Sequence, residues 1–406
     1  MNRRNTNSRH KESTTPARNL SLNPYLRCMK IGFDAKRAFQ NNTGLGNYSR
    51  TLISSLAKDF PEDEYFLFAP KQTSMYDVSE WPALRVVTPE KPPYSWLRSA
   101  WRSRFVVNDL RRYKLDLYHG LSHELPFGIH KSGVRSVVTM HDLIFERYPR
   151  HYNPVDVFTY RRKAQYACLH ADKVVAISEQ TRQDLISFYN TPADKIEVVY
   201  QSCDPAFAIT APDDDIAALG AKYQLPSQYF LYVGSIIERK NLLGIVTAMN
   251  TLKGVSDIPL VVLGNGSSYK KKVKAYLDAN GLTSQVLFLN EQVRLSNGDL
   301  PLLYQGALAL IYPSIFEGFG IPILEALLSR TPVITSSGSC FAETAGDAAL
   351  YVDPLDPHTI ATAMREVTSN PSLVKQMQEK GWIHAQRFTP AKCAAAMMKV
   401  YQQLNN

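Results

Sequence analysis

The sequence predicts an α/β protein made of two open parallel-sheet halves joined by a short polar break. Three observations carry this. Short runs that are apolar at every position alternate with stretches of helical period, the pattern of a parallel sheet covered on both faces. The pattern runs twice, before and after the proline-containing segment ITAPDDD at 209–215. The length of 406 residues, 45% hydrophobic and 20% charged, suits two or three domains of ordinary globular composition. Such a chain buries a large core without disulfides or metals.

Residues 1–28 precede the pattern. They hold Arg3, Arg4, Arg9, Lys11, Arg18 and Arg27 against Glu12 alone, are rich in Ser, Thr and Asn, and read as a disordered basic leader. Met29 opens the first strand and is itself a candidate start. The rest of the chain carries only four of the nine net positive charges, a mild excess that calls for no nucleic-acid partner. The N-terminus lacks the apolar stretch of a secretory signal, and no apolar run reaches the roughly 18–20 residues of a membrane span. A cytoplasmic location is therefore expected. Cys28, Cys168, Cys203, Cys340 and Cys393 are scattered, with no Cys-x-x-Cys, as reduced thiols are.

Strands are expected at 30–33, 64–69, 84–87, 115–118, 136–140, 173–177 and 196–199, with helices such as 47–58 and 179–188 between them. Ser178 is placed to cap the second of these helices. Residues 92–114 interleave Trp96, Trp101 and Phe105 with five arginines, and Leu97, Trp101 and Phe105 recur every four positions. Such a helix fits an anionic membrane surface, which would imply a peripheral membrane contact and a lipid-linked acceptor. It fits equally a core-packed position with a solvated face. After the break, strands are expected at 229–233, 259–263, 286–288, 307–312, 332–335 and 349–352. Asp213, Asp214 and Asp215 lie in the break, where capping a helix is their expected use, and no metal site is expected. Ligands of open α/β sheets bind beyond the carboxyl ends of the strands, so two halves facing each other enclose a cleft.

The chemistry-bearing segment is 311–336. A strand runs into a loop with Glu317, Gly318, Phe319 and Gly320, and Ile321 and Pro322 then open a helix, where proline's missing N–H is harmless. Glycines let the backbone approach a ligand, and free amides at a helix start favour an anion, phosphate above all. Glu317 and Glu325 are eight positions apart, so two carboxylates reach one ligand at different depths. A carboxylate beside a diol accepts two O–H hydrogen bonds. The structural alternative for Glu325 is its favourable charge early in a helix. In FLYVGSIIERKNLLGIV, 230–246, Gly234 and Ser235 turn the chain after a strand and Arg239 and Lys240 follow. A guanidinium fork beside an ammonium suits a diphosphate. Gly264 sits in a Gly-Asn-Gly turn, Gly44 and Gly46 lie between the first strand and its helix, and His119 and His141 each follow a strand.

Together G-S-x-x-x-R-K-N, L-G-N-G and F-E-G-F-G-I-P-I-L-E-A resemble the retaining glycosyltransferases of family 4, over nearly all of residues 29–406. The resemblance implies the GT-B fold, two Rossmann-like parallel-sheet domains facing across a cleft. Residues 29–208 would form an acceptor domain, 209–385 a donor domain, and 386–406 a helix packing back across the junction. It implies Glu325 on the ribose hydroxyls, Glu317 on the transferred sugar, and Arg239 and Lys240 on the leaving diphosphate. Backbone around Gly234, Ser235, Gly264, Gly318, Phe319, Gly320 and Ile321 would line the nucleotide-sugar, with Val293 in a loop at 291–294 flanking the base. Gly44 and Gly46 would lie near the phosphates and acceptor, His141 near the donor sugar, and His119 along the cleft.

The implied activity is metal-independent, retaining transfer of a hexose from a nucleotide-diphosphate sugar, with no cofactor. The acceptor would be a saccharide or lipid-linked saccharide in surface-polysaccharide or glycolipid synthesis. HDLIFERYPRHYNP and VGSIIERKN resemble the family's mannosyltransferases, which puts GDP-mannose ahead of a UDP-sugar. Open alternatives are a nucleotide-sugar epimerase or a phosphorylase on the same fold, and a non-catalytic protein binding nucleotide-sugar or nucleic acid.

Overall fold

The structure is a computed structural model that describes residues 28–90, 92–293, 295–296 and 298–405. The basic leader expected over 1–28 lies, apart from Cys28, outside the described residues. Among the described residues thirteen strands form two sheets, all of whose pairings are parallel. The first contains β1 (Lys30–Asp34), β2 (Glu64–Phe68), β3 (Leu84–Val87), β4 (Leu117–Gly120), β5 (Arg135–Met140), β6 (Lys173–Ala176) and β7 (Ile196–Val198). The second contains β8 (Phe230–Val233), β9 (Leu260–Leu263), β10 (Val286–Phe288), β11 (Ala309–Tyr312), β12 (Val333–Ser336) and β13 (Ala349–Val352). Their orders, 3-2-1-4-5-6-7 and 10-9-8-11-12-13, each reverse once, between β1 and β4 and between β8 and β11. Those two gaps are the switch points where open sheets bind ligands.

The strands are apolar throughout because both of their faces are buried. In β2, Tyr65 and Leu67 enter one core while Phe66 and Phe68 enter another. In β8, Leu231 faces one side and Phe230 and Tyr232 the other. The helix Pro390–Asn405 leaves the second half and lays Ala394, Met397, Met398, Val400 and Tyr401 on the core of the first sheet. It runs against the helix Gly44–Asp59, which contributes Leu52, Ile53 and Leu56 to the same core.

Several expectations change. His119 does not line the cleft: it is fully buried on β4, hydrogen-bonded to the Tyr401 hydroxyl at 2.6 Å and to Thr139 at 2.8 Å. The helix expected from 47 begins at Gly44, so Gly44 and Gly46 lie in its first turn rather than in a loop. Asp213, Asp214 and Asp215 form the first turn of the helix Asp213–Tyr223; they favour its dipole and do not act as its cap. Within 92–114, a π-helical turn Trp101–Phe105 leads into the helix Val106–Arg112. Trp101 is buried and its indole N–H donates to Asp109 at 2.7 Å, while Phe105 packs on Tyr94. Core packing thus accounts for Trp101 and Phe105, and Trp96 and Leu97 stay exposed. No helix among the described residues is long and apolar enough to cross a membrane. Ser178 does cap the helix Glu179–Tyr189, accepting from Thr181 N at 3.0 Å.

Candidate active site

The switch point of the second sheet delivers two loops side by side, because β8 and β11 are neighbours and both end there. The loop after β8 turns at Gly234, whose φ of +142° strains any side chain, and Lys240 Nζ stands 2.9 Å from where a Cβ would be. That room lets Lys240 fold back over the strand end. Arg239 is tied to the second loop through its carbonyl, which accepts from Ile315 N at 2.8 Å and from Ser314 Oγ at 3.2 Å.

Glu317 is the hub. Its Oε1 lies 2.7 Å from Arg239 Nη1 and accepts from the Tyr312 hydroxyl and from Ser314 Oγ, both at 2.9 Å. Lys240 Nζ is 3.6 Å from that oxygen and donates to the Tyr312 hydroxyl at 2.8 Å. All four contacts fall on Oε1. Burial works to raise the Glu317 carboxyl, but Lys240 and Arg239 outweigh it and hold the group below its ordinary value. Burial pushes Lys240 down despite the attraction of Glu317.

Behind this loop the helix Ile321–Leu328 starts from Gly320, at φ +91°, with Pro322 in its first turn. Glu325, in the second turn, is buried and accepts from the Tyr304 hydroxyl on Oε2 at 2.7 Å. Burial pushes its carboxyl up to about 7, against the downward pull of that hydrogen bond. The Phe319 side chain is turned into the core against Phe388 and Tyr200, so the loop offers its backbone.

The first half closes the other side. Gly318 abuts the His141 carbonyl, 1.9 Å from where a Cβ would stand, so only glycine allows this approach. Phe316 stacks under the Arg147 guanidinium at 4.7 Å and beside Tyr148. The Glu343 carboxylate, from the second half, accepts from Glu179 N at 2.6 Å and Gln180 N at 3.0 Å at the start of a first-half helix. The His141 ring is fully engaged: Nε2 bonds the Leu121 carbonyl at 2.9 Å and Nδ1 bonds Gln201 Nε2 at 2.7 Å. Burial drives it down to about 3, so the ring is neutral. Burial also raises Asp142, which feels both Arg239 and Glu317.

The structure thus brings Gly234, Ser235, Arg239, Lys240, Glu317, Gly318, Gly320, Ile321 and Glu325 to one switch point, with Gly264 against the Gly234 carbonyl. Val293 is half-buried after the short helix Leu289–Gln292, and Arg294 of its loop lies outside the described residues. Gly46 makes its close approach to the Asn41 carbonyl of its own turn, and Gly44 faces open space. Sequence reasoning missed Tyr304, Tyr312, Asp142 and Glu343. A tyrosine closing a strand beside a polar loop was the one available clue, at Tyr312.

Residues 43–207 match the family model described as Glycosyltransferase Family 4, and residues 221–382 the one described as Glycosyl transferases group 1. The chain is 29% identical over 397 residues to O-antigen chain mannosyltransferase B of Escherichia coli, covering 93% of this chain and 100% of that protein. It is 29% identical over 240 residues to O-antigen chain mannosyltransferase RfbU of Salmonella typhimurium, covering 59% of this chain and 62% of that one. The crystal structure of a glycosyltransferase from Rickettsia africae superposes with a TM-score of 0.71 at 18% identity, over 94% of this chain and 100% of that one. With both family models matched in order, and two parallel sheets each presenting a switch point, the chain belongs to the glycosyltransferases of family 4 and has their GT-B fold.

Proposed function

We propose that this glycosyltransferase transfers a hexose with retention and without a metal, from GDP-mannose before any UDP-sugar, to a saccharide or lipid-linked saccharide of a surface polysaccharide. One observation carries the reading: Arg239 and Lys240 converge on Glu317 at the start of a helix that holds Glu325 in its second turn. Two fixed cations share that one carboxylate close to the start of the helix Ile321–Leu328. As the C1–O bond to the diphosphate breaks, negative charge grows on the diphosphate oxygens. Groups already in place stabilise that charge without reorganisation.

Glu317 keeps Oε2 for a hydroxyl of the transferred sugar, and Glu325 keeps Oε1 for the ribose diol. The acceptor hydroxyl attacks C1 from the face the diphosphate leaves. Its oxygen bonds to C1 as the C1–O bond breaks, and its proton passes to the released diphosphate. His141, neutral and doubly bonded, serves as a wall of the cleft. The mannosyltransferase names of both Enterobacterial relatives support the mannosyl donor and the polysaccharide acceptor. Exposed Trp96 and Leu97, beside Arg98, are where contact with a membrane carrying a lipid-linked acceptor would fall.

The test is thermal shift and product analysis with GDP-, UDP- and ADP-sugars, with and without EDTA, for wild type, Glu325→Ala and Lys240→Ala. GDP-mannose stabilises wild type by mass action, both variants lose the shift, EDTA changes nothing, and NMR of the product shows the donor's anomeric configuration. An inverted product or loss of turnover in EDTA overturns the mechanism. No shift with any nucleotide-sugar overturns the donor site.

A further inference from the structure

The first sheet has its own switch point, between β1 and β4, and the crevice beyond it holds a charge network that the donor site leaves unused. Asp34 ends β1. Arg102 donates to both of its oxygens, Nε to Oδ1 at 2.9 Å and Nη2 to Oδ2 at 2.5 Å, and through Nη1 to Glu124 Oε2 at 2.8 Å. Lys163 Nζ donates to the other Glu124 oxygen at 3.2 Å. Beside them Phe127 is 48% exposed, its ring centroid 4.7 Å from that of Tyr166.

The backbone here is unusual in two ways. Arg102 rides on the π-helical turn Trp101–Phe105, a form of helix that concentrates at functional sites. His123, next to Glu124, holds a left-handed φ of +60°, which a non-glycine residue adopts only when its surroundings impose it. Its Nε2 accepts the backbone N–H of His141 at 2.8 Å, and the His141 carbonyl abuts Gly318 in the Glu317 loop. The crevice is therefore one loop away from the donor site.

We propose that this crevice holds an uncharged sugar residue of the acceptor, with Phe127 as its stacking face and Glu124 and Lys163 as the pair that reads its hydroxyls. A pyranose has an apolar C–H face that suits an exposed ring, and vicinal hydroxyls that bridge a carboxylate and an ammonium. In the lining itself two carboxylates, Asp34 and Glu124, are matched by two cations, Arg102 and Lys163, both already paired. Lys36 stands close enough to feel all of them except Lys163, so the sugar-phosphate arm of the test decides whether that outer charge attracts an anion. Arg102, clasped by both carboxylates, is a positioning residue that orients Glu124. The use of this subsite in turnover rests on the transferase reading above; its sugar binding does not.

Saturation-transfer NMR on the full chain tests this, with methyl hexopyranosides and mannose 6-phosphate as probes for wild type, Phe127→Ala and Glu124→Gln. A neutral glycoside receives saturation from wild type and binds at least tenfold more weakly to both variants, and the phosphate adds no affinity. A GDP-dependent thermal shift of wild-type size in both variants shows that they are folded. The subsite is overturned if no neutral glycoside contacts wild type, if both variants bind as wild type does, or if the sugar phosphate binds markedly tighter. If wild type ignores every nucleotide-sugar while Phe127→Ala still loses the glycoside, the subsite stands and the transferase reading falls.

Discussion

Each glutamate of the pair is held by a buried tyrosine hydroxyl, Glu317 by Tyr312 and Glu325 by Tyr304. In both cases the tyrosine occupies one carboxylate oxygen, and the second is the one assigned to ligand in the proposed function. For Glu325 the arrangement has a pH signature. Its carboxyl stands at about 7 in the folded protein, against about 4.3 in an unfolded chain. The folded state thus retains a proton across that window, and this contribution to stability is full below it and is lost as pH rises through 7. Donor affinity is expected to move the opposite way, because an ionised carboxylate accepts from ribose hydroxyls more strongly than a protonated acid does. GDP binding measured by calorimetry therefore strengthens from pH 6 to 8 with a midpoint near 7. Tyr304→Phe removes a hydrogen bond that lowers the carboxyl, so the midpoint moves up and affinity at pH 7 falls about tenfold, for a charged hydrogen bond worth about 1.5–3 kcal/mol. A wild-type affinity flat in pH would detach Glu325 from the ribose. Lys240→Ala is expected to cost about 100-fold in kcat, as the loss of one preorganised charge does; steady-state kinetics with a loss under threefold would argue against a diphosphate role. Neither tyrosine was legible as a site residue, because a tyrosine within an apolar run reads as core and both are in fact fully buried.

The elements were legible where both faces are buried. Tyr65, Phe66, Leu67 and Phe68 all enter cores, so β2 is apolar at each position and its ends stand out against polar turns. The loops after β8 and β11 were equally plain, since glycines and charges cluster just where those strands stop. Less legible were features whose cause lies far along the chain. His119 reads as a cleft residue until Tyr401, 282 positions on, is found against it. Trp101 and Phe105 keep helical spacing whether they face lipid or core, so the π-helical turn left no trace in the pattern. The start of the helix Gly44–Asp59 was obscured because glycine is a poor helix former. The two glycines there have different reasons to exist, and substitution separates them. A Cβ at Gly46 would lie 1.8 Å from the Asn41 carbonyl oxygen, whereas nothing stands within 4 Å of one at Gly44. In urea unfolding, Gly46→Ala should lose about 1–3 kcal/mol, as overpacking against a fixed neighbour does. Gly44→Ala should be neutral or gain up to about 1 kcal/mol by stiffening the unfolded chain. Equal effects at the two positions would mean that the turn at Asn41 yields freely.

At the scale of the whole molecule, the two halves meet through contacts that differ in kind. The C-terminal helix belongs by packing to the first half, so the chain crosses between the halves twice. Across the cleft itself, Gly318 touches the His141 carbonyl, Phe316 lies on Arg147, and Glu343 accepts two amide hydrogen bonds at the start of the helix Glu179–Tyr189. The last of these is the strongest by type, a carboxylate on free helix amides, and it lies outside the cluster of Arg239, Lys240, Glu317 and Glu325. Removing it should therefore separate closure from donor binding. Arg239, Lys240 and Glu317, which contact one another, and Glu325, held by Tyr304, all come from the second half, so these contacts do not depend on the first. In Glu343→Ala, GDP affinity should stay within about twofold, while kcat falls by about tenfold or more because one bond to a charged group is worth about 1.5–3 kcal/mol. Small-angle scattering should show a larger radius of gyration for the free variant than for free wild type. Identical scattering with reduced kcat would place the effect of Glu343 in local order at the helix start. Unchanged kcat would show that Phe316 and Gly318 suffice to hold the seam.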